Sequence, residues 1–204
     1  MEQKNIILKG SLDLFLKYGI KSITMDDISR ALGVSKKTIY LYYEDKDVLV
    51  SEAVNAFTNF QKETLNSLSE IARDSIEELM KMSDYMRTNV CNINPALLYD
   101  IKKYHPKAWA IFIDYKRSFV EASIEKTLKR GMDEGYFRAN LNTKILSRLR
   151  METVEMGFDT EIFPTSEFQT PAVQIEFFEQ FVYGICTLKG HKLLNKYKQI
   201  NEED

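Results

Sequence analysis

Residues 24 to 46, TMDDISRALGVSKKTIYLYYEDK, read as a helix, a tight turn and a second helix. This stretch constrains the fold more than any other, because its residue types are fixed by where they must sit. Thr24 and Asp27 have the spacing of a capping box, so a helix should start at Met25. Ile28, Ala31 and Leu32 recur at helical spacing and are expected to form its buried face. Gly33 supplies the backbone freedom that a sharp turn needs, and Val34 is apolar enough to pin the two helices together. Ser35 suits the N-cap of a second helix from about Lys36 to Tyr42, with Ile39 and Tyr43 turned inward. Lys36, Lys37 and Thr38 then occupy its outward first turn. Readers of duplex DNA present base-contacting residues at that position.

A helix-turn-helix outline alone is a weak signal, since many helical proteins join amphipathic helices through glycine. Further features strengthen it. The second helix spans only about two turns, too short to be stable alone, yet it holds polar and aromatic residues outward. The hydroxyls of Tyr40 and Tyr42 can donate to phosphate oxygens, and Lys46 opens the next helix. Glu44 and Asp45 oppose these cations.

The first fifty or so residues resemble the N-terminal domain of the TetR family of bacterial transcription regulators. The pattern is Ile7-Leu8, Leu14-Phe15, Gly19, Ser22-Ile23-Thr24, Ile28, Gly33-Val34-Ser35, Thr38-Ile39-Tyr40, Tyr42-Tyr43, Lys46 and Leu49. It covers about a quarter of the chain, and so many fixed offsets make it specific. The resemblance implies phosphate contacts from Thr24, Tyr40 and Lys46 and base contacts from Lys36, Lys37 and Thr38. With Ser35 and Tyr42 these form the candidate DNA-contacting set. Lys37 stands where the family commonly has glycine, and Tyr42 where it commonly has histidine. The operator sequence is therefore not transferable by analogy.

The chain has 204 residues, with 8 glycines, 4 prolines and a formal charge of −2. That length buries roughly 70% of the unfolded surface, so neither disulfide nor metal is needed for stability. The composition favours helices. A near-neutral chain must bind nucleic acid through a local patch rather than a global field. The expected fold is all-α: an N-terminal three-helix helix-turn-helix domain, residues 1–47, and a larger helical effector-binding and dimerisation domain, residues 48–204.

Outside residues 24–46, a first helix is expected over 4–18, burying Ile7, Ser11, Leu14, Phe15 and Tyr18 and ending at Gly19. A helix capped by Asp45 should run from Lys46 into the sixties through Leu49, Ala53, Phe57 and Phe60. No linker interrupts it, so mechanical coupling between the domains is expected. Further helices are expected at about 72–91, 95–105, 107–134, 143–158, 172–188 and 190–198. Pro95 and Pro106 suit first-turn positions and Gly135 a C-cap. Asp159 to Pro171 reads as loop, and Asn201 to Asp204 should fray.

The helix at 172–188 is apolar nearly all round, through Phe177, Phe178, Phe181, Val182 and Ile185. Such a helix serves a core, an interface or both. The helix at 143–158 offers Ile145, Leu149 and Met156 beside it. The family resemblance implies that the last two long helices pair with their copies in a four-helix bundle, making Ile145, Leu149, Met156, Phe178, Phe181 and Ile185 the candidate dimer interface of a homodimer. It also implies a small apolar or aromatic effector in the helical domain. Tyr85, Met86, Tyr104, Trp109, Phe112, Met151 and Phe158 are candidates to line its site, chosen by type and position. Met and aromatic residues at helical spacing are more often core fillers.

Cys91 and Cys186 read as buried small hydrophobes, and His105 and His191 as structural residues. No cofactor or metal is expected. No nucleophile–base pair or phosphate loop suggests an enzyme. A signal peptide and a membrane-spanning run are not evident, so a cytoplasmic protein is expected. The function that follows is a DNA-binding transcriptional regulator, most simply a dimeric repressor of a palindromic operator released by an effector. A helical adaptor that binds only protein is the alternative. It would explain the apolar C-terminal helix but not the Lys36-Lys37-Thr38 edge.

Overall fold

A computed structural model describes residues 2–90 and 93–199. The described residues form α-helices joined by turns, with one isolated bridge between Phe137 and Cys186. In order they are α1 (Glu2–Tyr18), α2 (Met25–Leu32), α3 (Lys36–Tyr40), α4 (Lys46–Ile71), α5 (Ser75–Tyr85), α6 (Ala96–Tyr104), α7 (Pro106–Asp114), α8 (Glu121–Asp133), α9 (Thr143–Met156), α10 (Thr170–Ile185) and α11 (Leu188–Lys198). Cys91 and the tail 201–204 lie outside the described residues.

The chain divides into two compact units, Met1–Lys62 with Ile93–Tyr115, and Glu63–Asn92 with Lys116–Asp204. α4 runs unbroken through the boundary.

The first unit packs Ile7, Phe15, Ile20, Ile28, Ile39, Tyr43, Leu49 and Val50 into one core, which Ile101 of α6 and Ala108 of α7 complete. Two details correct the expected faces. Tyr18 and Ala31 are exposed, because the next helix covers only the Ile7–Ser11–Phe15 side of α1 and the Met25–Ile28 side of α2. α6 is tied to the same unit through polar groups. The Lys21 amide donates to the Asp100 carboxylate at 2.8 Å, and the Asn94 amide to the Leu16 carbonyl at 2.8 Å. At the α6–α7 junction, buried His105 shares a 2.6 Å hydrogen bond with Asp47 of α4.

The second unit is built on Ile76, Leu79, Leu128, Phe137, Phe178, Val182, Ile185 and Leu194. A buried polar cluster fixes α5 to α8. Glu78 accepts from Thr127 at 2.8 Å and from Arg130 at 3.2 Å, while Glu134 receives the Ser75 amide at 2.8 Å. The long helix expected over 107–134 is interrupted by a π-helical turn, Tyr115–Val120, and another, Met86–Val90, extends α5. Single π turns of this kind are seldom visible in hydrophobic periodicity. α10 ends earlier than expected because Cys186 turns extended to meet Phe137. The Arg138 amide donates to Ile185 and the Thr187 amide to Tyr136, at 2.9 and 2.8 Å. Thr187 then caps α11. In the 157–169 loop, Phe163 packs edge-on against Phe168 and Phe177.

Candidate nucleic-acid interface

The short helix α3 is held from both ends and from below. At the start of α2, the Asp27 amide donates to the Thr24 hydroxyl at 3.2 Å and the Thr24 amide to the Asp27 carboxylate at 2.9 Å. This reciprocal pair is the capping box. The Thr24 hydroxyl also donates to Asp27, and these bonds hold the carboxyl below its ordinary range. Gly33 takes a left-handed φ of 64°, which a residue with a side chain adopts only under strain. Across the turn, Ser29 and Val34 bond twice. The Val34 amide donates to the Ser29 carbonyl at 3.1 Å, and the Ser29 hydroxyl to the Val34 carbonyl at 2.6 Å. Ser35 caps α3 by accepting the Thr38 amide at 3.0 Å.

Beneath α3, Ile39 and Tyr43 are fully buried. Tyr43 donates its hydroxyl to the Lys4 carbonyl at 3.2 Å, and burial, with Glu52 nearby, pushes its pKa up to about 12. A five-residue helix has no stability of its own. Its outward residues are positioned because Ile39 and Tyr43 anchor them to the α1–α2–α4 core.

The outward side carries most of the expected set. Thr24, Ser35, Lys36, Lys37, Tyr40 and Tyr42 are exposed, and Thr38 is half-exposed. They are not equally available. Lys36 is ion-paired with Asp26 of α2. The Ser35 and Thr38 hydroxyls share a 2.8 Å hydrogen bond. The Tyr42 hydroxyl lies 3.5 Å from Gln3. Lys37 and Tyr40 have no such partner among the described residues. Lys46 is half-buried, and its ammonium donates to the Ile20 carbonyl at 2.7 Å. Burial lowers its pKa, against the pull of Asp100, Asp47 and Asp27. One N–H of Lys46 thus secures the α1–α2 connection, leaving its other protons for an outside acceptor. The expected free phosphate contact is also a structural bond.

The effector candidates fall into separate clusters. Tyr104, Trp109 and Phe112 belong to the first unit, where Trp109 and Phe112 stack at 5.6 Å and pack on its core. Tyr85, Met86, Met151 and Phe158 belong to the second, with Met151 buried. Of the interface candidates, Ile145, Leu149 and Met156 are exposed on α9 and Phe181 is half-exposed, whereas Phe178 and Ile185 are buried in the core of the second unit. Phe178 and Ile185 therefore serve the protomer's own packing, because they lie in one buried cluster with Ile76, Leu79 and Leu128 rather than in solvent.

Sequence reasoning missed Arg150, a buried arginine on α9 that no carboxylate among the described residues approaches. Its signal was available: a charge at the inward register of Ser147, Met151 and Val154.

A short helix capped by serine, anchored by two buried side chains and presenting cations and hydroxyls outward, defines a helix-turn-helix DNA reader. Residues 7–53 match the bacterial regulatory proteins, tetR family. The chain is 28% identical over 153 residues to an uncharacterised helix-turn-helix transcriptional regulator of Bacillus subtilis, YvaF, covering 74% of this chain and 80% of that one. Two solved structures share the fold. A TetR-family regulator from Agrobacterium tumefaciens superposes with a TM-score of 0.76 at 17% identity, covering 91% of this chain and 98% of its own. A transcriptional regulator from Saccharomonospora viridis in complex with choline gives 0.77 at 16%, with the same coverage. Residues 7–53 thus carry a DNA-binding domain of the tetR family, and the chain is a DNA-binding transcriptional regulator. No helix among the described residues is long and apolar enough to cross a membrane.

Proposed function

We propose that this regulator works as a homodimer that represses from a palindromic double-stranded operator and releases it when a small apolar or aromatic effector binds. The observation that carries the DNA half is the Lys37–Tyr40 edge, free on its outer side and fixed by Ile39 and Tyr43 beneath. Two such edges related by a two-fold axis would read inverted half-sites one helical turn apart.

The dimer half rests on α9. Ile145, Leu149 and Met156 lie four and seven residues apart, on one face that the protomer leaves uncovered. Burying such a stripe against a copy is the simplest use for it. Half-exposed Phe181 extends the apolar surface on α10.

The effector half rests on division of labour. We assign DNA contact to residues 1–47 and effector binding and dimerisation to residues 48–204. In this reading α6 and α7 belong to the effector part by function while packing in the core of the head. Ile101, Ala108 and the Asp100 and His105 bonds are then the means by which a shift in α6 is felt at α1 and α4. Trp109 and Phe112 serve that coupling, and Tyr85, Met86, Met151 and Phe158 remain candidates for the lining. That a regulator of the same fold was solved in complex with choline supports a small-molecule ligand for this one.

Selection of bound duplexes from a random pool tests the reading. The expected product is a two-fold symmetric consensus. Recovery of asymmetric sequences, or of none above background, would overturn it.

A further inference from the structure

The second unit holds its inward cations in two different ways. Buried Lys116 reaches Glu152, at 2.9 Å, and Glu155, and half-exposed Arg130 reaches Glu78 and Glu134. Their charges are balanced by carboxylates. Arg150 is buried nearly as deeply as Lys116 but has no such partner among the described residues. Its guanidinium lies over the rings of Phe178 and Phe181, 5.7 Å from each centroid, and its buried Nη1 has no hydrogen-bond acceptor among the described residues.

A second unsatisfied atom lies on the same α9–α10 seam. Gln174 is buried and donates Nε2 to the Val154 carbonyl at 2.8 Å, which leaves its Oε1 without a donor. Val154 is one turn beyond Arg150 on α9, and Gln174 is one turn before Phe178 on α10. The seam thus holds an orphan donor, an orphan acceptor and two aromatic rings in consecutive turns. Burial lowers the Arg150 pKa to about 10, with no carboxylate among the described residues opposing it.

Buried charge is normally paired, and buried polar atoms are normally bonded. Arginine's planar fork matches a carboxylate in two parallel hydrogen bonds. We propose that Arg150 anchors the carboxylate of a small amphipathic acid in the second unit, with Phe178 and Phe181 against its apolar body and Gln174 Oε1 accepting from a ligand hydroxyl or amide. This rests on the effector reading above and sharpens it, since the guanidinium disfavours a choline-like cation at the same place.

The test uses the full chain, with octanoate and 4-phenylbutanoate as probes and octan-1-ol and choline as controls, in titration calorimetry. Octanoate should bind about tenfold or more tighter than octanol, and choline should not bind. Arg150→Met should weaken octanoate about tenfold or more while leaving octanol within about twofold. Arg150→Lys, which keeps charge without the fork, should recover part of that loss. Because Arg150→Met removes an unpaired buried charge, the ligand-free protein should melt at the same temperature or roughly 2–4 °C higher. Equal affinity for octanoate and octanol, no binding by either acid, or dissociation of a dimer by Arg150→Met would overturn the inference. The last result would mean that the guanidinium pairs across a subunit interface. Operator displacement, read in parallel, separates the two proposals. Arg150-dependent octanoate binding without displacement keeps the site and removes the release mechanism. Displacement by octanol that survives Arg150→Met does the reverse.

Discussion

Lys36 and Lys37 are neighbours on α3, but only Lys36 is engaged, through Asp26. In the proposed complex DNA must compete with that carboxylate for Lys36, and Asp26 adds a negative charge beside a cation assigned to DNA. Asp26→Asn should therefore raise operator affinity. The ion pair is exposed, with about half of each side chain in solvent, and pairs of this kind are worth about 0.2–1 kcal/mol. Two heads double this to about 0.4–2 kcal/mol, an increase of about 2- to 30-fold in affinity. A cost accompanies it: Asp26 lies in the first turn of α2, where a negative charge favours the helix by about 0.3–1 kcal/mol. Thermal melting should register that as a small loss. Fluorescence anisotropy with a selected operator would measure affinity in wild type, Asp26→Asn, Lys36→Met and the double variant. Removing a carboxylate near DNA helps even without Lys36, so the cycle matters. The gain from Asp26→Asn should shrink in the Lys36→Met background by the energy of the pair. An equal gain in both backgrounds would show that Asp26 acts only as a charge near the duplex. No gain in either would refute the assignment of this edge to DNA.

Other substitutions separate the roles of the remaining groups. Lys46→Met should weaken binding to operator and scrambled duplex alike and flatten the log–log salt dependence by about 0.9 per head; it should also lower the melting temperature through loss of the Ile20 bond. An unchanged salt slope would assign Lys46 to structure alone. Lys37→Ala should instead change the preferred base pair at one position in each half-site, costing about 1–3 kcal/mol against the original sequence; a repeat duplex selection giving the same consensus would count against base contact. Leu149→Asp places a charge on the uncovered α9 face without disturbing the protomer core, so light scattering should report monomer and affinity for a two-fold operator should collapse. A dimer that survives it would move the interface elsewhere. Glu77, held by Arg73 at about pKa 2, contributes stability that is complete above its ordinary value near 4.5 and lost as pH falls toward 2. Glu77→Gln should flatten that acid limb of the melting curve, and an unaltered limb would mean that the Arg73 bond is not maintained in solution.

The head was legible because its constraints are local. Thr24 and Asp27 cap within three residues, Gly33 supplies the one left-handed backbone in the turn, and Ser35 caps α3 three residues before Thr38. Each is a short-range requirement written in residue type. The errors there came from long-range packing. Tyr18 and Ala31 obey helical periodicity yet face solvent, since periodicity gives a stripe and not its width. Residues 93–115 gave no local sign that they would join the core of the first unit. Ile101 and Ala108 reach it through tertiary contacts that only the folded chain defines.

The second unit was less legible for a further reason. Met, Phe and Tyr at helical spacing fill cores, line sites and cover interfaces with the same chemistry. Phe178, Phe181 and Ile185 read identically in sequence, but two are packed inside and one is half in solvent. What breaks this degeneracy is polarity in the wrong place. A buried leucine may be exchanged for another apolar residue at modest cost, whereas a buried guanidinium without an acid works against folding. Arg150 and the Oε1 of Gln174 are the two positions on the α9–α10 seam where packing alone supplies no reason for the residue. The apolar candidates say that a ligand would find a greasy surface. The polar orphans restrict its charge, and that restriction makes the chemical class of the proposed effector open to experiment before any identity is known.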